Sequence, residues 1–114
     1  MITAEALYSE AGRFRGCRIS GHGDMDTDDL GYDIVCAAVS SITLTAALGL
    51  RDVLCIEGIY ESHNGFLRID IGNHGSAESD AVLATMFRGL EEVSKLYPDR
   101  ILIRKTGGEI HASV

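Results

Sequence analysis

Apolar residues recur along this chain at two spacings, one helical and one extended. Val35, Val39, Ile42 and Ala46 fall at i, i+4, i+7 and i+11, which predicts one buried face of a helix over 33–48. Gly49 is placed to end it. A second helix is predicted over 76–97, with Val82, Met86, Leu90, Val93 and Tyr97 as its stripe, supported by Leu83, Phe87 and Leu96. Pro98 stops it. Leu67, Ile69 and Ile71 alternate with Arg68 and Asp70, so 66–71 reads as a strand with one wet face. Residues 53–60 read as its partner strand, joined through Ser62-His63-Asn64-Gly65, where Asn-Gly signals a hairpin. Residues 2–8 and 13–20 read as two strands around a Ser9-Glu10-Ala11-Gly12 turn, and 101–105 as a last strand.

The order is ββαββαβ. One apolar stripe per helix and one apolar face per strand predict an α+β two-layer sandwich. Both helices then lie on one face of a mostly antiparallel sheet. The other face is left to water or to a second subunit.

The 114 residues suffice for one domain, 1–114, and not for two cores. With 46% hydrophobic and 24% charged residues, the chain is expected to fold as an ordinary globule. Its longest apolar runs are far too short to span a bilayer, so no membrane helix is expected. Residues 1–15 hold Glu5, Glu10, Arg13 and Arg15 without an apolar block, so no signal peptide is expected. The three cysteines, Cys17, Cys36 and Cys55, cannot all pair and form no CxxC, which suits a reduced, cytoplasmic compartment. Ten basic against seventeen acidic residues give a net charge of −7. That balance disfavours direct nucleic-acid binding and suits a cationic protein partner.

The chemistry concentrates between residues 20 and 40. His22, flanked by Gly21 and Gly23, follows the second strand, and an acidic loop over 24–30 leads to Asp33 and Cys36. Asp33 is expected to be the N-cap of the first helix, which puts Cys36 in the first turn. The helix dipole and unpaired N–H groups would favour a thiolate there. The loop returns the chain toward His22, and an imidazole–thiolate pair is the minimum for cysteine nucleophilic catalysis. Cys36, Ser40 and Thr43 fall on a small, polar face distinct from Val35, Val39 and Ile42.

Gly21-His22-Gly23, followed by Gly31-x-Asp33-Ile34-Val35-Cys36-Ala37-Ala38-Val39-Ser40, resembles the signature of the bacterial ribosomal-processing cysteine proteases. The resemblance covers the whole chain in length and element order. It implies an endopeptidase that removes a short N-terminal extension from the large-subunit ribosomal protein numbered twenty-seven. It implies Cys36 as nucleophile, His22 as its partner, and Asp33 and Ser40 at the site, with Gly21 and Gly23 beside them on the substrate side. It also implies a homodimer and no cofactor. Gly23 stands where the family often has alanine, and the loop from Asp24 to Leu30 is longer and more acidic, which bears on substrate preference.

Other polar residues point elsewhere. Asp24, Asp26 and Asp28 mimic a calcium loop, but position six is Asp29, not glycine, and position twelve is Val35, not glutamate. His63, His74 and His111 lack zinc-ligand spacing, so no metal is expected. Gly72-Asn73-His74-Gly75 reads as a strand-to-helix turn whose N–H groups could hold a substrate carbonyl. The competing function is a non-catalytic ribosome-assembly or protein-binding module in which Cys36 is only packed.

Overall fold

The computed structural model describes residues 1–21, 30–63 and 65–105, and of residues 30–33 the backbone alone. Its elements are β1 (Ile2–Tyr8), β2 (Phe14–Ser20), α1 (Leu30–Leu48), β3 (Ile59–His63), β4 (Phe66–Asp70), α2 (Ala77–Leu96) and β5 (Ile101–Arg104). The five strands form one sheet in the order β3-β4-β2-β1-β5. Every pair is antiparallel except β1–β5, which is parallel because α2 carries the chain across the sheet to return to β1. This is the α+β two-layer sandwich expected from the pattern.

Alternation decides which face is covered. Ile2, Ala4 and Ala6 of β1, Cys17 and Ile19 of β2, Leu67 and Ile69 of β4, and Ile101 of β5 are buried together under the helices. The opposite face carries a cross-strand row of charge. Glu61 lies opposite Arg68, Arg68 opposite Arg18, and Arg18 opposite Glu5. Arg68 donates to Glu61 at 3.1 Å and Arg18 to Glu5 at 3.2 Å. That face is therefore polar across its middle, and less suited to a subunit contact than the pattern alone suggested.

Local signals set the β1–β2 turn and α2. The Gly12 N–H donates to the Ser9 carbonyl at 2.9 Å, with Gly12 at φ +83°. Ser76 caps α2: its hydroxyl accepts from the Ser79 N–H, and the Ser79 hydroxyl accepts from the Ser76 N–H. Leu83, Met86, Phe87 and Leu90 are buried, and Val82, Val93 and Tyr97 pack partly against them. Leu96 was expected in this stripe but is 75% exposed, because it falls in the last turn before Pro98.

α1 departs further from expectation. It begins at Leu30, so Asp33 is its fourth residue and not its N-cap. Gly49 does not end it; a π-helical turn, Gly49–Val53, continues the run, and the Leu54 N–H reaches the Gly49 carbonyl at 2.9 Å. Leu50 supplies the reason: it is fully buried and extends the core stripe of Val35, Val39, Thr43 and Ala46. Burial of a leucine, about 2 kcal/mol, outweighs the roughly 1 kcal/mol helix penalty of glycine. The strand expected over 53–60 accordingly runs Ile59–His63 instead, taking in Ser62 and His63 that were expected in the turn, and Cys55 sits exposed at φ +55° outside the sheet.

The continued run also revises the expectation about membranes. Ile34–Val53 is 20 residues long with a mean hydropathy of 1.7, long and apolar enough to cross a membrane by length and composition. Serines, threonines and glycines interrupt its strictly apolar runs without adding charge, so its average stays high. Here one face of it builds the core, while Ile34, Leu44 and Leu48 remain exposed.

Asp70 ties β4 to β2 at the end of the sheet away from Gly21. Its carboxylate is 8% exposed and accepts from Arg15 Nε at 2.8 Å, Arg15 at a second nitrogen at 3.1 Å, and the Gly72 N–H at 2.9 Å. The Arg15 hydrogen bond, foremost, holds the Asp70 carboxyl below its usual range. A depressed folded-state value stabilises the fold above about pH 4 and is lost as pH falls below it. Since Arg15 is half exposed, Asp70→Asn is expected to cost about 1–2 kcal/mol at neutral pH. Urea melts of the two proteins should converge as the pH is lowered through 4 to 2; a gap that stays constant would remove the carboxylate charge from the explanation.

Candidate active site

α1 and α2 run antiparallel. Ile42 lies against Gly89, 3.6 Å from where a methyl there would sit, and Gly49 lies against Val82 at 3.8 Å. Cys36 is six residues before Ile42, about 9 Å nearer the N-terminus of α1. It therefore stands axially level with the C-terminal turn of α2, at the end of the sheet where β5 begins. Ile101 of β5 pairs with Ile2. Gly21 lies at that same end: a Cβ on it would meet the Met1 carbonyl oxygen at 2.4 Å. The tertiary fold thus brings Cys36 to the end of the sheet where β2 delivers the chain to His22.

Gly21 is built for that position. Its φ is +93°, and its N–H donates to the Gly65 carbonyl at 3.0 Å. Sequence reasoning read Gly65 only as a hairpin glycine and passed over Met1: the Gly65 carbonyl holds the Gly21 N–H, and the Met1 carbonyl leaves no room for a side chain there. Their only local signal was the glycine of the Asn-Gly turn.

His22, Gly23 and the acidic stretch from Asp24 to Asp29 lie outside the described residues, as do Asn64 and His111. Position 33 lies one turn before Cys36 in α1, and Ser40 one turn after it. Cys36 is buried at 8% exposure, and Ser40 is half-buried. Thr43 turns inward instead: it is 1% exposed and its hydroxyl donates to the Val39 carbonyl at 2.8 Å. The small polar face expected from Cys36, Ser40 and Thr43 is thereby reduced to its first two members.

Cys36 is the seventh residue of α1, not a member of its first turn. The dipole acts mainly over the first turn, and the unbonded N–H groups belong to residues 30–33. The helix end is therefore a weaker influence on the Cys36 thiol than expected from a first-turn position. The other cysteines serve as contrasts. Cys17 is fully buried in β2, and burial pushes its thiol up to about 12, so it stays protonated at neutral pH. Cys55 is exposed on the loop ahead of β3, with its thiol 3.7 Å from the Asp52 carbonyl.

The Gly72–Gly75 turn falls away as a carbonyl holder. Ile71 N–H donates to the Arg15 carbonyl, and Gly75 abuts Phe14, at the opposite end of β2. Six residues of strand, about 20 Å, separate it from Gly21. Among the described residues no group of three or more His, Cys, Asp and Glu side chains is placed to hold a metal ion.

Three comparisons bear on this arrangement. Residues 1–102 match a protein family described as cysteine protease Prp. The comparison with curated proteins finds no match. Among solved structures, the S. aureus ribosomal processing protease Prp in complex with a substrate peptide has a TM-score of 0.80 at 21% identity, covering 92% of this chain and 100% of that one. A Streptococcus mutans protein scores 0.78 at 20% identity, covering 92% of this chain and 93% of that one. The S. aureus protease with a covalently linked product peptide scores 0.71 at 22% identity, covering 92% and 99%. At these identities the structures establish a shared fold, and the family match over residues 1–102 adds the chemistry. With Cys36 on α1 at the sheet end that Gly21 reaches, and the family match running over residues 1–102, this chain belongs to the Prp family of cysteine proteases.

Proposed function

We propose that this protease is a ribosomal processing endopeptidase that removes a short N-terminal extension from the large-subunit ribosomal protein numbered twenty-seven. The observation that carries this reading is Cys36, on α1, level with the end of β2 that leads to His22. The S. aureus relative with the same fold is named a ribosomal processing protease and was captured with a substrate peptide, which supports the processing part of this reading. Family membership favours this over a non-catalytic binding module.

In the proposed reaction the Cys36 thiolate attacks the scissile carbonyl carbon, forming a C–S bond and an oxyanion. His22, protonated by the thiol, gives that proton to the leaving amine as the C–N bond breaks. Water then attacks the thioester, His22 takes its proton, and the thiol is restored. Asp33, one turn before Cys36, orients His22. Gly21 and Gly23 keep the chain around His22 close to substrate, and Ser40 lines the approach. No cofactor enters this sequence of steps.

A charge of −7 suits a cationic N-terminal segment. The three cysteines are free, which supports a reducing, cytoplasmic setting. A homodimer belongs to the same proposal. The uncharged exposed residues Ile34, Leu44 and Leu48 of α1 support it better than the charged sheet face does.

The test is incubation with the same organism's ribosomal protein and measurement of product mass. Loss of an N-terminal segment is the expected result. Cleavage should also slow several-fold as salt rises from about 0.05 to 0.5 M, since screening shortens the reach of exposed charges to a few ångströms. An unchanged mass with a folded enzyme would refute the substrate.

A further inference from the structure

Among the described residues the sheet ends in two edge strands, β3 and β5, whose outer N–H and C=O groups pair with no further strand. We infer that the edge of β3 takes the substrate's main chain as an added, extended strand, on the flank of α1 that carries Cys36 and Ser40. This rests on the proteolytic reading above.

Three observations select β3. The first is lateral. Ile42 and Gly49 face α2. Cys36 is six positions from Ile42, about 120° round the helix, so it faces the other flank. α2 packs on β5 and β2, which leaves β4 and β3 beneath that other flank. The β5 edge lies beyond α2, a helix diameter or about 10 Å further from Cys36.

The second is axial. His63 pairs with Phe66, and Phe66 with Ser20, so β3 ends beside Gly21, at the end of the sheet where Cys36 stands. Tyr60 and Ser62 lie opposite Ile69 and Leu67, on the helix-covered face. Their side chains therefore border the same side of an added strand as Cys36. Strand residues alternate faces, so every second substrate side chain would point to the α1 side of the sheet and the others to water.

The third is charge. β3 and the loop before it carry Glu57 and Glu61, whereas β5 and the residue after it carry Arg104 and Lys105. Glu61 is partly offset by Arg68 and Lys105 by Glu91, but the balance still favours a cationic segment at the first edge over the second. Strand addition draws affinity from main-chain hydrogen bonds and specificity from alternate side-chain positions. A protease acting on one extension among many basic proteins needs both.

The experiment uses a synthetic peptide spanning the extension and its cleavage point. Native enzyme is first shown to cleave it. The Cys36→Ala variant is then saturated with it, and amide exchange is followed by NMR. Alternate amides within residues 59–63 should slow by about tenfold or more, with residues 101–104 unchanged. N-methylation of the peptide should weaken binding about fivefold at every second amide and little at those between, because each hydrogen bond contributes modestly. Cleavage without protection of β3, or with protection of β5, overturns this inference and leaves the protease reading intact. A peptide that native enzyme does not cleave overturns both.

Discussion

Cys36→Ala should stop peptide cleavage while leaving the fold in place. A nucleophile has no substitute in the proposed chemistry, so kcat is expected to fall by at least about 10⁴-fold. The thiol is small and sits on a flank of α1 at 8% exposure, so its loss should cost no more than about 1 kcal/mol. Cys17→Ala is the matched control. Cys17 is fully buried in β2 under the helices, and its thiol is pushed up to about 12. Its removal should cost about 1 kcal/mol and leave turnover near normal. Product mass and thermal melting of both variants decide the matter. Retained turnover in the Cys36 variant would remove that residue from the chemistry.

Gly21→Ala should disable the enzyme from a position that takes no part in the reaction. A side chain at φ +93° is strained, and its Cβ would stand 2.4 Å from the Met1 carbonyl oxygen, far inside contact distance. The chain must shift at the residue immediately before His22. A displacement near 1 Å of a catalytic partner costs about 10²-fold, so kcat/KM is expected to fall by that order. Stability should fall by about 1–2 kcal/mol. Gly12→Ala separates the two effects. Gly12 also has a positive φ, +83°, but open space around it, and it lies at the far end of the hairpin. It should lose about 1 kcal/mol and keep its activity. If both variants keep full activity, the placement of His22 does not depend on Gly21.

Both variants probe what was legible before any coordinates. Asp33-Ile34-Val35-Cys36 and Gly21-His22-Gly23 stand out in the sequence because chemistry demands residue type, and residue type is what a sequence records. That Gly21 and Cys36 share one end of the sheet is not local. It follows from the antiparallel packing of Ile42 on Gly89 and Gly49 on Val82, contacts between residues more than thirty positions apart.

The elements divide the same way. The Ser76 start of α2, the stop before Pro98 and the Ser9–Gly12 turn were readable because capping hydroxyls, a missing N–H and a positive φ act within a few residues. The order ββαββαβ and the one-sided burial of every strand but β3 followed from periodicity. The bounds of α1 were not readable. Its start at Leu30 displaces Asp33 from the cap, and its continuation past Gly49 rests on Leu50 burying itself in a core assembled from four strands and both helices. Local rules favour a stop at glycine, and tertiary burial overrides them because the buried leucine is worth more than the glycine costs. The facing of Cys36 was decided the same way. A sequence assigns a residue to one side of a helix, but which side meets substrate depends on which flank the second helix covers, and here α2 covers the flank of Ile42.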